Sequence, residues 1–230
     1  MHVQVPNLER VRELVAAAED ARRPNSYVRA FEGWSGANAL RGKILADYER
    51  DLSLLNGDAW CALKMSAAKR LIRNKKKDWE PLFDLLNEAK AHAYLAARGC
   101  ANIQAIPPSY EYKTPDLKAD LNGVLVLCEV KTLNMSDDER TVRAEDGSNR
   151  SSLSDEFLAG KLTWTLRAAK AQLDAFPLPA RKIIYLVFNP DESLDDYADD
   201  YTQQLEVFLK AFPLGGIEVE VFQFLPLYGS

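Results

Sequence analysis

The sequence predicts an α/β fold in which helices pack against a mixed β-sheet, preceded by a helical N-terminal region. From residue 79 onward, stretches with helical and strand periodicity follow in the order helix, short strand, hairpin, helix, strand, helix, strand. Such alternation indicates a sheet with helices on its faces. In addition, KIIYLVFN (182–189) is almost continuously apolar, which is typical of a strand buried on both faces.

The first 78 residues form a separate helical region in this prediction. Residues 7–22 and 39–73 have apolar side chains at helical spacing and few strand formers. Charge divides the chain at the same place: residues 1–78 carry 15 basic against 10 acidic side chains, and residues 79–230 carry 14 against 24. The net charges are therefore +5 and −10, so only the first region has the charge balance of a phosphate-binding surface.

One segment of the helical region is strongly basic. KMSAAKRLIRNKKK (64–77) has seven basic residues and no acidic one. A helix of this composition suits contact with nucleic-acid phosphates, and it equally suits a helix face in contact with solvent. In the first case the contacts would come from six side chains: Lys69, Arg70, Arg73, Lys75, Lys76 and Lys77.

Each element after residue 79 has its own signal. The first helix follows Asp78 as a candidate N-cap, has Pro81 in its first turn and ends at Gly99. Asn122-Gly123 lies between two strand-like runs, 110–121 and 124–133, and indicates a two-residue hairpin turn. The other predicted elements are strands at 101–106, 182–189 and 216–224, helices at 156–176 and 196–211, and a polar loop at 134–155.

The hairpin determines which charged residues face one another. With Asn122 and Gly123 in the turn, paired residue numbers sum to 245, so Asp116 lies opposite Glu129 on one face of the sheet. Lys131 points to the same face. Two opposed acids destabilise a sheet unless a positive charge neutralises them, and a divalent cation would do so while activating a water molecule. Oxygen ligands of this kind suit Mg²⁺ or Mn²⁺.

A charged ladder without metal is the alternative for this hairpin. In it, Lys113, Lys118 and Lys131 neutralise nearby acids on an exposed face. Asp120 has the same parity as Asp116, but it lies about 13 Å further along the strand from the acid pair. The chain has only two histidines and no glycine-rich phosphate-binding loop, so any hydrolytic chemistry would depend on carboxylates and lysines.

Pro115-Asp116, followed thirteen residues later by Glu129-Val130-Lys131, resembles the PD-(D/E)xK signature of the restriction-endonuclease-like nucleases. The resemblance extends over about residues 79–230, because that family's core is a helix, three strands, a helix and a further strand. It implies a three-layer sandwich with a central mixed sheet. It also implies an Mg²⁺- or Mn²⁺-dependent endonuclease that hydrolyses phosphodiester bonds, with DNA as the expected substrate.

The same resemblance implies a role for each residue of the motif. Asp116 and Glu129 would bind the metal together with the Val130 carbonyl, and Lys131 would assist the attacking water. Glu88 lies on the first core helix, where many members have an accessory acid, although a charged residue at the edge of an amphipathic helix is an equal interpretation.

A glutamine followed by a tyrosine on the helix after the lysine is found in some members of this family. Here Gln172 is followed by Phe176, and this departure puts a role for Gln172 in doubt.

Two other classes of function stay open on the sequence. One is a nuclease-fold module without catalysis that binds nucleic acid or a protein partner, which the net charge of −5 favours. The other is a structural α/β protein with a chance motif. We expect a cytoplasmic protein, because no signal-peptide pattern and no run of about 18 apolar residues is present. A homodimer is expected if both strands of a duplex are cut.

Overall fold

The computed structural model describes residues 7–18, 39–71, 80–107, 109–134, 153–189 and 198–223. The chain forms two compact units. The first, called the helical unit below, comprises the described residues up to Gly99, and the second, the α/β unit, comprises those from Cys100 onward. No helix within the described ranges is long and apolar enough to cross a membrane.

The helical unit contains four described helices: α1 (Glu9–Ala18), α2 (Ala39–Ser53), α3 (Gly57–Leu71) and α4 (Glu80–Ala97). The stretch 39–73, predicted as helical throughout, is interrupted because Asn56 caps a new helix. Its side-chain Oδ1 accepts a hydrogen bond of 2.9 Å from the Ala59 N–H. The boundary between the units after Gly99 places α4 with the helices before it, whereas the sequence predicts a division at residue 79.

The α/β unit contains a five-stranded mixed sheet with the strands in sequence order. β1 pairs with β2 and β2 with β3 in antiparallel orientation, whereas β3, β4 and β5 are parallel. The predicted α/β class and mixed sheet are therefore confirmed. The strands are β1 (Ala101–Ala105), β2 (Leu117–Leu121), β3 (Val124–Asn134), β4 (Arg181–Asn189) and β5 (Glu218–Gln223).

Two helices connect the parallel strands, as parallel pairing requires. A π-helical segment (Phe157–Leu162) leads into α5 (Thr163–Ala175), which connects β3 to β4, and α6 (Ala198–Ala211) connects β4 to β5. Of the predicted polar loop 134–155, residues 135–152 lie outside the described part of the chain.

The core of the α/β unit lies between these helices and one face of the sheet. It joins residues of three elements: Leu166, Ala169 and Leu173 of α5, Tyr201 and Leu205 of α6, and Ile184, Leu186 and Phe188 of β4. On the other face of β4, Ile183, Tyr185 and Val187 are buried as well. The prediction of a strand buried on both faces is thus confirmed, and the third layer of the predicted sandwich stays a prediction.

Candidate active site

The β2–β3 hairpin has the predicted register. The strands form five residue pairs, and the two residue numbers of each pair sum to 245. Asn122 and Gly123 have positive φ angles of 54° and 81°, as a type I′ turn requires. The Asp120 side chain accepts a hydrogen bond of 3.0 Å from the Gly123 N–H. Asp120 therefore supports the turn, in agreement with its exclusion from the acid pair.

Asp116 lies one residue before β2 begins. Its main-chain carbonyl accepts a hydrogen bond of 2.9 Å from the Ile106 N–H, so the residue is held against the chain that follows β1. Its side-chain Oδ2 accepts a hydrogen bond of 2.8 Å from the Val130 N–H. The predicted strand at 110–121 is therefore shorter than expected. Pro115 has no N–H for a strand ladder, and Asp116 reaches β3 through its carboxylate rather than its main chain.

Glu129 is fully buried, with 0% of its surface exposed. On the same face of β3, Leu127 and Leu133 belong to the hydrophobic core beneath α5. The sequence predicts a core on the opposite face of β3 and polar residues on the face that carries Glu129. In the structure, both faces of this strand are largely buried. A ladder of charges on an exposed face does not describe this arrangement, because the central acid has no access to solvent.

Burial and a neighbouring charge make ionisation of Glu129 unfavourable. Desolvation is the largest cause, and the Asp116 carboxylate adds to it, so that the pKa of Glu129 is raised from 4.5 to about 8 even though Lys131 acts in the opposite direction. Among the described residues, Glu129 Oε2 has no hydrogen-bond donor. Protonation would let Glu129 donate to the Asp116 carboxylate, and a bound cation would satisfy both acids without a proton.

Lys131 contacts the buried acid pair and is itself partly exposed to solvent. Its ammonium contacts Glu129 Oε1, and its side chain remains 27% exposed. The structure therefore brings Asp116, Glu129 and Lys131 together, as the hairpin register predicts. This lysine supplies one positive charge. One positive charge can compensate one carboxylate of the pair but not both.

The predicted Mg²⁺ or Mn²⁺ site stays a prediction, and the hairpin would supply its protein donors. In a strand the N–H and C=O of one residue point to the same side, so the Val130 carbonyl faces the side on which its N–H binds Asp116. Within the described ranges no group of three or more His, Cys, Asp or Glu side chains could hold a metal. The donors would thus be the carboxylates of Asp116 and Glu129 and the Val130 carbonyl, with water and substrate oxygens as the remaining ligands of a hard cation.

Gln172 on α5 holds the segment that carries Asp116. Its side-chain Nε2 donates a hydrogen bond to the Thr114 carbonyl. One turn later, the Phe176 ring packs edge-on against Tyr112, with ring centroids 6.2 Å apart. The sequence leaves a role for Gln172 in doubt, and this contact between distant segments has no local signal in the chain. Gln172 positions Asp116 through the main chain.

Gln172→Leu should lower the free energy of unfolding by about 1–2 kcal/mol, because the half-buried Thr114 carbonyl loses its donor. Urea unfolding followed by circular dichroism measures this difference. Gln203→Leu, at an exposed position of α6, is the matched control and should change stability by less than about 0.5 kcal/mol. Equal stability of the two variants would show that the Gln172 contact does not hold the segment.

The other predicted site residues lie in the helical unit. Glu88 is half-buried on α4, and its role as an accessory acid stays a prediction. Lys64, the first basic residue of the 64–77 segment, has a structural role, since its ammonium lies 3.0 Å from Glu13 Oε2 and 5.0 Å from the centre of the Trp60 ring. Of the six residues proposed to contact phosphates, Lys69 and Arg70 belong to α3, and four lie outside the described ranges: Arg73, Lys75, Lys76 and Lys77.

Comparison with known proteins adds no relative at this point. No family model matches the chain, and no curated protein matches it.

Proposed function

We propose that the α/β unit is a metal-dependent phosphodiesterase of the restriction-endonuclease-like class, which hydrolyses nucleic acid, with DNA as the expected polymer. The observation that carries this proposal is the fully buried Glu129, one oxygen of which has no donor among the described residues, beside the Asp116 carboxylate. The antiparallel hairpin followed by a helix and a parallel strand supports the fold class. The PD and ExK residues, brought together by the register, support the chemistry.

A purely structural role gives no reason for this acid pair. Burying a carboxylate is costly unless it is paired and fully hydrogen-bonded, and a second carboxylate nearby increases the cost. A leucine at position 129 would extend the core formed by Leu127 and Leu133 on the same face. A buried acid whose pKa is strongly raised by burial and a neighbouring carboxylate is typical of a functional site.

The positions of Asp116, Glu129 and Lys131 suit phosphodiester hydrolysis. Bound at this site, a divalent cation would supply a Lewis acid for the phosphate and lower the pKa of a bound water. The Val130 N–H fixes the orientation of the Asp116 carboxylate through its hydrogen bond. Lys131, partly exposed next to Glu129, can donate a hydrogen bond to the attacking water or to a phosphate oxygen and offset negative charge that develops there.

The first test is stabilisation by metal. A ligand that binds only the folded state must stabilise it, by about 2.7 kcal/mol when its concentration is a hundredfold above its Kd. The melting temperature of the unaltered protein should therefore rise when EDTA is replaced by saturating Mn²⁺. No rise with Mn²⁺ or Mg²⁺ would remove the metal site and the proposed hydrolysis with it.

The second test is cleavage. Plasmid, linear duplex, single-stranded DNA and RNA are incubated with Mg²⁺ or Mn²⁺, and the products of the unaltered protein are compared with those of Lys131→Ala. We expect at least one polymer to be cut, and the lysine variant to be slower by about 100-fold or more. Metal binding with no cleavage of any polymer would support instead the catalytically inactive module that binds nucleic acid or a protein.

A further inference from the structure

The segment 109–114 (SYEYKT) leads directly into Pro115-Asp116 and is held in place at two points. Tyr112 packs against Phe176, and the Thr114 carbonyl accepts the hydrogen bond from Gln172. Both anchors come from α5 and the residue that ends it, and α5 also packs on β3 and β4. The last three residues of the segment, which precede Pro115-Asp116, are therefore anchored to α5.

The anchors leave two side chains of this segment exposed. Tyr110 has a relative exposure of 109%, the highest of the large exposed hydrophobic residues in the described part of the chain. Lys113 is also exposed. Neither side chain makes a hydrogen bond, ion pair or ring contact with another described residue. A large aromatic ring that contacts nothing, on a segment that leads into Asp116, has no packing role in the folded chain.

The charge of the surrounding chain argues against recognition by phosphate neutralisation alone. Residues 79–230 have a net charge of −10, and Glu111 is exposed between Tyr110 and Lys113. Binding of duplex nucleic acid is dominated by contacts to its phosphates, which such a surface disfavours. A single strand carries phosphates too, but stacking of a base on an aromatic ring adds binding free energy that does not come from phosphate neutralisation, and it requires a base whose face is free.

From these observations we propose that the segment 109–114 binds single-stranded nucleic acid next to the acid pair. Tyr110 stacks on an unpaired base, and Lys113 contacts a neighbouring phosphate. This inference rests on the proposed phosphodiesterase function, because it assigns the substrate of the same site. It narrows that function to single strands or to unpaired stretches within a duplex.

The test is the binding of a labelled oligothymidine and of a labelled duplex of equal length, measured by fluorescence anisotropy in EDTA so that no cleavage occurs. Tyr110→Ala should weaken binding of the single strand by about 10-fold or more, as loss of one stacked base does. Tyr110→Phe keeps the ring and should bind within about twofold of the unaltered protein, and Lys113→Ala should weaken binding and flatten its salt dependence.

Lys210→Ala is the matched control for loss of an exposed lysine. Lys210 lies on α6, which packs on β5 at the edge of the sheet opposite β1, and its side chain is 78% exposed. This variant should bind the oligothymidine as the unaltered protein does. Because Tyr110, Lys113 and Lys210 are all exposed, none of the substitutions removes a buried contact, and circular dichroism should show an unchanged fold for each.

Parallel cleavage assays with Mn²⁺ separate this inference from the proposed function. Cleavage by the unaltered protein, with equal single-strand affinity for Tyr110→Ala or with tighter binding of the duplex, would overturn the inference and leave the phosphodiesterase intact. Single-strand binding that depends on Tyr110, without cleavage of any polymer, would overturn the phosphodiesterase and support the binding segment. Absence of both binding and cleavage would overturn both.

Discussion

Asp116→Asn should slow Mg²⁺- or Mn²⁺-dependent cleavage by at least about 100-fold. The asparagine side chain has nearly the same shape, and its carbonyl oxygen can still accept the hydrogen bond from the Val130 N–H. The substitution therefore removes the negative charge while the local structure is retained. Initial rates on the polymer that the unaltered protein cuts give the comparison, and the melting temperature in EDTA checks that the variant is folded.

Asp120→Asn is the matched control for this prediction. Asp120 lies on the same hairpin, and its side chain also accepts a hydrogen bond from a main-chain N–H, that of Gly123. Its position on β2 next to the turn keeps it away from the acid pair, so cleavage should change by less than about twofold, within the range typical of substitutions away from a site. Equal loss of cleavage in Asp116→Asn and Asp120→Asn would point to a general effect of hairpin charge rather than a metal ligand.

Glu129→Gln should change stability and metal binding in opposite directions. Because the folded-state pKa of Glu129 is raised to about 8 from 4.5, the folded protein binds this proton more tightly than the unfolded chain does. In EDTA the stabilisation is complete below pH 4.5 and is lost as the pH rises to about 8, a loss of the order of 5 kcal/mol at 1.36 kcal/mol per pH unit. Glutamine stays neutral throughout, so above pH 8 the variant should be the more stable protein.

Urea unfolding as a function of pH, with EDTA and with Mn²⁺, measures both effects. The difference in unfolding free energy between variant and unaltered protein should grow across this pH window in EDTA. With Mn²⁺ above pH 8 the unaltered protein should recover stability, whereas Glu129→Gln should not respond. Glu220→Gln, which changes a half-buried acid of β5, is the control for loss of an acid elsewhere in the sheet. Identical pH profiles of unfolding free energy for Glu129→Gln and the unaltered protein would mean that ionisation of the buried acid does not destabilise the fold.

The Glu129→Gln variant distinguishes a metal site from a buried ion pair. If Lys131 alone compensated Glu129, removal of the acid would leave the lysine without its partner and lower stability at every pH at which Glu129 is ionised. If a metal is the missing partner, removal of the acid relieves an unfavourable charge in EDTA and abolishes the response to Mn²⁺. Glu129 Oε2, which has no hydrogen-bond donor in the described part of the chain, and the raised pKa of Glu129 favour the second outcome.

Local patterns in the sequence were sufficient to predict much of this unit. A two-residue Asn-Gly turn sets the register of its own hairpin, so the pairing of β2 with β3 follows from neighbouring residues alone. The burial of β4 on both faces also follows from neighbouring residues alone, because its continuous run of apolar side chains is stable only away from water. The class of fold and the choice of candidate acids therefore follow from short-range patterns in the chain.

The tertiary structure alone decided the electrostatic state of the site and its support. Full burial of Glu129 depends on α5 packing over its face of the sheet, which residues close to it in sequence do not reveal. The bond from Gln172 to Thr114 joins positions 58 residues apart. The exposure of Tyr110 likewise depends on which neighbours α5 anchors. Pairing in a hairpin is local, whereas burial and anchoring arise only when distant segments pack together, and that physical difference separates what the sequence determined from what the fold decided.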